Sequence, residues 1–538
     1  MLLLVGAFVL AHLTRGSTFY ADEWDWILNR RHGGLGAFLA PHQQHLSLVP
    51  LVVYRLLFAL WGIHSYGPYL AAVIAAQLTL TALVFRYALV RIGLVFALLV
   101  AALVLFLGPG SIDFLWAFQM AWVFTMVCAV GGLLALDRDD LLGDVIAALL
   151  MAAALATAGP GLAVAVGLAV EMVWTRGRRG LWMAGVPLGL FALWWILYQQ
   201  AGVLAESAVH VPAFMASAAA ASVSALTGLL ALDPTSDTTT FRDYGPVLAL
   251  AAVIGLAWRL RATAPVAPRT VALLVMVLAF WLITGIGRGA FQAGVLVLSE
   301  TGDESRYVYI GAVLLIVLVV ELAQDFAPSP GVAAGLAVLL LSALASNFGA
   351  LRQQAQYLRS SGADTAAYLG TLDMTRGVVA PGFPSAGFLL GIVDAGAYFA
   401  AERELGSPAW SSSRLAVAAD GVRQAADHQL IAIHGVTLTA PTAAQTPTGC
   451  RRVSAASTPG AVAGPGLAVT VPASGVEVQA AGAPATVALR RFSSQFETLG
   501  TIAPGARAVL RIGPDGVSQP WQLLVTPTGD AAVCALRS

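Results

Sequence analysis

The sequence predicts an α-helical polytopic membrane protein with a C-terminal extracytoplasmic α+β region ending in a small β-sandwich. Three observations carry this. Of 538 residues, 58% are hydrophobic and only 11% are charged, whereas a soluble domain of this size covers itself with more charge. Apolar runs recur at 67–86, 92–108, 117–136, 141–158, 160–174, 181–200, 244–260, 270–286, 307–325 and 331–347, most of them near bilayer-crossing length. Beyond Asn347 the pattern changes, first to helices with polar faces, then to short alternating runs broken by Gly and Pro. The net charge of zero leaves no footprint for nucleic acid.

Taken in order, Met1–Leu13 is apolar, has no basic residue before it and no small-residue cleavage site before Arg15, so it reads as a first transmembrane helix. A long loop from Arg15 to about His64 follows. Its apolar half, Leu46 to Trp61, is broken by Pro50 and Arg55 and suits a helix lying along the interface. Arginine clusters then set the orientation. Arg86 and Arg91, Arg138, Arg176 with Arg178 and Arg179, and Arg259, Arg261 and Arg269 fall on one side if there are about eleven crossings. The positive-inside rule makes that side cytoplasmic, with the N-terminus inside and the C-terminus outside. Asp137, Asp139 and Asp140 beside Arg138 read as a solvated cytoplasmic turn.

This divides the chain into a transmembrane domain, 1–347, whose first extracytoplasmic loop is 15–64, a helical extracytoplasmic region, 348–432, and a β-rich domain, 433–538. Runs such as Ala468-Val469-Thr470-Val471 and Gln522-Leu523-Leu524-Val525 alternate as half-buried strands do. Cys450 and Cys534 both lie in the last domain, which suggests a disulfide formed in an oxidising compartment. Its few aromatic side chains, Phe492, Phe496 and Trp521, favour a structural role over sugar binding.

Charge is scarce, so its clustering is informative. Ala21-Asp22-Glu23-Trp24-Asp25-Trp26-Ile27 sets three acids and two tryptophans just past the first apolar segment. Such a stretch either solvates a membrane edge or supplies a general base, or a metal ligand, beside a lipid-linked substrate. On the same expected face lie Asp113, then Glu206, His210, Asp233, Asp237 and Asp243, then Glu300, Asp303 and Glu304.

The order of these parts resembles the GT-C glycosyltransferases, nearest to the lipid A aminoarabinose transferase and protein mannosyltransferase type. Asp22-Glu23 match the acid pair that opens the first extracytoplasmic loop. His45 to Gly62, running into Tyr66-Gly67-Pro68-Tyr69, resembles the interfacial helix. Asp113 in Ser111-Ile112-Asp113-Phe114 matches the Asp of the second loop, and Ser305-Arg306-Tyr307 resembles an Arg-Tyr pair common in such proteins. The usual Pro-Pro after the loop histidine is replaced here by Leu46-Ser47-Leu48-Val49-Pro50, and a loop lysine found in some members is missing.

The resemblance implies an inverting transfer of sugar from a polyprenyl-phosphate donor to a cell-envelope glycan, lipid or protein, on the outer face of the cytoplasmic membrane. Asp22 is the expected base, with Glu23 assisting or holding a metal. Trp24, Trp26 and Asp113 are expected to line the substrate. His42, His45, Arg288, Arg306 and Tyr307 are expected near the donor phosphate, since guanidinium binds phosphate in a fork. Asp22, Glu23 and Asp113 would suffice for a divalent cation, Mg or Mn, although nothing in their spacing demands one. Two other readings stand beside this one. A transporter or flippase of lipid-linked material would carry ionisable groups at mid-membrane and two related halves. A non-catalytic membrane scaffold would need no acid at Asp22.

Overall fold

The computed structural model describes the chain except residues 43–44, 199–208, 233–238, 242–243, 263–264, 289–290, 294–295, 299–300, 325, 385–392, 443–445, 455–465 and 538. Glu206, Asp233, Asp237, Asp243 and Glu300 lie outside the described residues. The chain forms two compact units. The first comprises Met1–Ser17, Asn29–Trp61 and Tyr66–Ser360; the second comprises Thr18–Leu28, Gly62–Ser65 and Ser361–Ser538.

The first unit is helical. Its main helices are α1 Leu2–Leu13, α2 Leu48–Trp61, α3 Gly67–Leu105, α4 Met120–Leu136, α5 Leu141–Leu155, α6 Gly161–Arg176, α7 Arg178–Tyr198, α8 Val211–Thr227, α9 Gly245–Ala262, α10 Pro268–Arg288, α11 Ser305–Leu322 and the part up to Ser360 of α12 Pro330–Met374, whose remainder belongs to the second unit. Among the described residues, seven helices are long and apolar enough to cross a membrane, and α1, α2, α5 and α8 are shorter apolar helices. The expected loop between 86 and 92 is instead helical. The chain turns at Gly93, whose φ of 77° only glycine adopts readily, so Arg86 and Arg91 sit on helical turns. Similarly, the change of character at Asn347 is no break. At 45 residues α12 is about 68 Å long, roughly twice the hydrocarbon thickness, so its sequence turns polar while the helix continues.

Small residues let these helices approach. A Cβ on Gly167 of α6 would collide with Met276 of α10, and one on Gly132 of α4 would come within 2.8 Å of Leu168. Arg55 on α2 donates to the carbonyls of Arg30 (2.9 Å), Gly33 (2.8 Å) and His32 (2.5 Å), tying the preceding loop to that helix.

One end of this unit carries a buried ion network that sequence spacing conceals. Arg91 of α3 reaches Glu321 of α11 at 2.7 Å and Asp137 at 3.1 Å. Arg269 of α10 reaches Glu171 of α6 at 2.6 Å and Asp137 at 3.0 Å. The Tyr87 hydroxyl donates to Glu321 at 2.5 Å. Arg176 reaches fully buried Asp144 at 3.0 Å, and Arg179 contacts it too. Asp137 stands in the expected exposed turn, but its partners are arginines of two other helices. Adjacent Arg138 pairs with Asp140 instead, at 2.9 Å.

The second unit ends in two four-stranded antiparallel sheets. Its strands are β1 Pro447–Ser454, β2 Leu467–Thr470, β3 Val476–Ala480, β4 Ala485–Arg490, β5 Glu497–Ile502, β6 Arg507–Leu510, β7 Gln522–Pro527 and β8 Asp530–Leu536. They are ordered β6-β3-β8-β1 and β2-β7-β4-β5. Strict alternation of burial along β7 aims Leu523 and Val525 inward, and one core joins Val478, Val533, Val487 and Leu489 from both sheets. Cys450 and Cys534 are disulfide-bonded across β1 and β8. Closing a loop of 84 residues contributes about 4–5 kcal/mol by chain entropy. Helices Ala395–Leu405 and Asp420–Ile433 precede the sheets. Buried Asp427 fastens the second of these, accepting the backbone N–H of Arg491 and Phe492 at 2.9 Å and of Ser493 at 3.0 Å.

Candidate functional site

In the first unit, the segment from Gly108 to Ala117 is held at nearly every residue by its surroundings. Gly108 N–H donates to the Asn347 side chain at 3.0 Å, and that amide donates onward to Ala225 O at 2.9 Å. Ser305 Oγ donates to Pro109 O at 2.6 Å. Gly110 lies so close to α11 that a Cβ would be 2.7 Å from Tyr309 Cα, and Ala117 N–H donates to the Tyr66 hydroxyl at 3.0 Å. The short helix Ile112–Leu115 is thus rigidly placed, with Phe114 against the Tyr309 ring, centroids 5.9 Å apart.

Within this scaffold Asp113 is fully buried, and neither of its carboxylate oxygens has a hydrogen-bond partner among the described residues. Fully buried Ser111 Oγ, two residues earlier, is in the same condition. Sequence reading singled out Asp113 but passed over Ser111, because a serine in a loop carries no signal until its burial is known. Burial pushes the Asp113 pKa well above the usual carboxylate range, and the charge of nearby Arg306 pulls it back part of the way. Leaving a buried polar group unsatisfied costs about 1–3 kcal/mol, so three orphaned oxygens in one tetrapeptide mark a place prepared for a hydrogen-bonding guest.

Arg306 opens α11. Its guanidinium lies 2.6 Å from Glu304. Tyr307 beside it is buried, packing on Trp122 (centroids 5.8 Å apart) and Phe214 (5.3 Å). Asp113, Glu304, Arg306 and Tyr307 therefore belong to one end of the first unit.

The two loop histidines belong to the same unit. His42 and His45 exchange backbone hydrogen bonds, 2.9 and 2.8 Å. His42 meets Phe118 edge-on at 5.6 Å. The His45 ring covers Gly159, where a Cβ would come within 2.6 Å of it. His45 also lines a cavity of about 170 Å³ with Phe191, Trp195, Ile286 and Gly287. Arg288, the last residue of α10, follows Gly287 directly.

The acidic stretch belongs to the second unit. Ala21 has a φ of 46°, in the left-handed region that alanine seldom occupies. From that turn Asp22 stands at the head of the short helix Glu23–Asp25, partly exposed. Glu23 is fully buried, and its Oε2 accepts the Tyr20 N–H at 2.8 Å. The two acids of the pair thus differ in kind: Glu23 shapes the turn that presents Asp22. Trp24 is buried edge-on to Phe19 (6.5 Å) and Tyr398 (6.3 Å), and Trp26 is buried as well.

Among the described residues, no group of three or more His, Cys, Asp or Glu is placed to hold a metal ion. The tentative set of Asp22, Glu23 and Asp113 is not among such groups.

No family model matches the chain, and no curated protein matches it. Two solved structures are similar to it, both of ArnT from Cupriavidus metallidurans. The one bound to undecaprenyl phosphate is 13% identical with a TM-score of 0.44, over 76% of this chain and 85% of that one. The one in the apo state is 12% identical with a TM-score of 0.42, over 77% and 89%.

Proposed function

We propose that the protein is a membrane glycosyltransferase that moves a sugar from a polyprenyl-phosphate donor to a cell-envelope acceptor at the outer face of the cytoplasmic membrane. The observation that carries this reading is Asp113: a fully buried carboxyl, without a partner among the described residues, within reach of the charge of Arg306. A sugar phosphate complements that pair, because its hydroxyls satisfy orphaned oxygens while its phosphate meets a guanidinium.

In this reading the acceptor hydroxyl attacks the anomeric carbon and loses its proton to Asp22, and the bond to the polyprenyl phosphate breaks. Arg306, with Arg288, offsets the charge that builds on the departing phosphate. Glu304, 2.6 Å from Arg306, aims the guanidinium before the donor arrives. Asp113 and Ser111 hold the sugar, with Tyr307 packed beneath Arg306. His42 and His45 shape the loop whose His45 lines the cavity of about 170 Å³, next to the helix end that bears Arg288.

The test is a transfer assay of purified protein with a panel of polyprenyl-phosphate sugars. Asp22→Asn should lower turnover by about 10²–10⁴-fold with donor binding retained, as loss of a general base does. Arg306→Ala should instead weaken donor binding. Normal turnover by Asp22→Asn would move the base elsewhere. Failure of the wild type on every donor would overturn the reading itself.

A further inference from the structure

A cavity of about 550 Å³ opens between α9 and the pair α10–α11. Its walls are almost wholly apolar, with Ala252, Gly255 and Trp258 from α9, Trp281 from α10, and Leu318 and Val319 from α11. The cavity exists because α9 packs chiefly on α8 and stands away from its other neighbours. Along α9, Val253 is 58% exposed, Ile254 61% and Trp258 71%. Nothing in the proposed reaction uses this region.

We propose that the cavity seats an acyl chain of an anionic glycerophospholipid, drawn from the leaflet at the Arg259 end. Three features select that occupant. The first is length. Ala249 and Arg259 both line the cavity, and ten residues of helix rise about 15 Å, half of a hydrocarbon core of about 30 Å. The cavity therefore matches the depth of one leaflet. The second is charge. Arg259, whose Nε donates to Leu322 O at 3.1 Å, marks one end, and exposed Arg261 lies in the same last turn of α9. Arginines at that level favour an anionic headgroup over a zwitterionic one. The third is position. Leu322 lies sixteen residues along α11 from Arg306, about 24 Å by helical rise. A lipid with its phosphate at Arg259 is thus held at the opposite end of α11 from the proposed donor phosphate, so the cavity serves a lipid other than the donor. Small residues on α9 leave the room: a Cβ on Gly255 would meet nothing within 4 Å.

Native mass spectrometry of the full chain in mild detergent, supplied with phosphatidylglycerol, phosphatidylcholine or undecaprenyl phosphate, tests this. Wild type should retain phosphatidylglycerol in preference to phosphatidylcholine, and its melting temperature should rise with that lipid, while undecaprenyl phosphate should be retained equally by wild type and by Gly255→Trp. Gly255→Trp, which fills the cavity, should retain at least tenfold less. Arg259→Gln with Arg261→Gln should keep the chain site but lose the preference for phosphatidylglycerol over phosphatidylcholine. Equal retention of phosphatidylglycerol by Gly255→Trp, unchanged headgroup preference in the double arginine variant, or loss of undecaprenyl phosphate in Gly255→Trp would overturn the proposal. These readouts are lipid mass and melting temperature, so they stand or fall apart from turnover.

Discussion

The two ends of α11 treat acidic side chains in opposite ways. At its C-terminal end Glu321 accepts from both Arg91 and Tyr87, and the neighbouring acids Asp137 and Glu171 are matched by Arg91 and Arg269. At its N-terminal end packs the segment carrying Asp113, just as buried, whose oxygens meet no partner among the described residues. Burying a charge is expensive in both places. Where the cost is offset by partners within the chain, the network locks helices together. Where it is left open, the fold holds a group ready for something outside the chain. The difference also separates two functional readings. A transporter wants ionisable groups free to exchange partners, whereas buried Glu171 and Glu321 are tied by arginines, and Asp113, without a partner among the described residues, lies at the opposite end of α11 from Glu321.

That contrast can be broken first at the matched end. Arg269→Ala leaves Glu171 buried without its guanidinium and should destabilise the protein by about 3–5 kcal/mol, read from thermal unfolding in detergent. Replacing both partners, Glu171→Leu with Arg269→Met, should recover most of that loss. A harmless Arg269→Ala would show that the network is not a lock.

A matched acid in the second unit sharpens the comparison. Asp515 lies 3.0 Å from His434 Nε2 and 2.5 Å from an Arg491 nitrogen. Burial works to raise its pKa, yet His434, Arg491 and the Val517 N–H together hold it below the usual range. Its folded pKa is depressed, so its contribution is complete above the unfolded value of about 3.9 and is lost as pH falls toward the folded one. Arg491→Ala should cost about 2–3 kcal/mol at neutral pH. Asp515→Asn should also flatten the acid limb of the stability profile.

Asp113 should behave in the reverse sense. Its folded pKa is raised, burial being the main cause, so wild-type stability declines as pH rises from the unfolded value toward the folded one. Asp113→Asn removes the charge and should be at least as stable as wild type at pH 8, by up to about 1–2 kcal/mol, with the gap closing below pH 4. A melting-temperature series across pH reads this directly.

Much of the fold was legible because hydrophobicity is written locally. Apolar runs placed the helices, alternating runs such as 522–525 placed strands, and two cysteines in one polar region pointed to a bond that is present. Elements whose limits depend on something other than composition were not legible. The loop expected around Arg91 is helical up to Gly93, and Asp137 finds its partners on two other helices rather than at Arg138. Glu171 and Glu321 gave no signal at all, since a lone acid in an apolar run says nothing of the arginine that will face it. In the candidate site, Asp113 and Arg306 were expected to share a face and do share an end of the first unit. The division of labour between Asp22 and Glu23, and the part of Ser111, became visible only with burial and hydrogen bonding.

The central claim is that the unmatched end of α11 is a substrate site, and turnover of Asp113→Asn measured beside its melting temperature tests it most directly. The account predicts transfer from a polyprenyl-phosphate sugar lowered by about 10²-fold or more, with a melting temperature equal to or above that of wild type. Normal turnover, or a collapse in stability like that expected of Arg269→Ala, would contradict it.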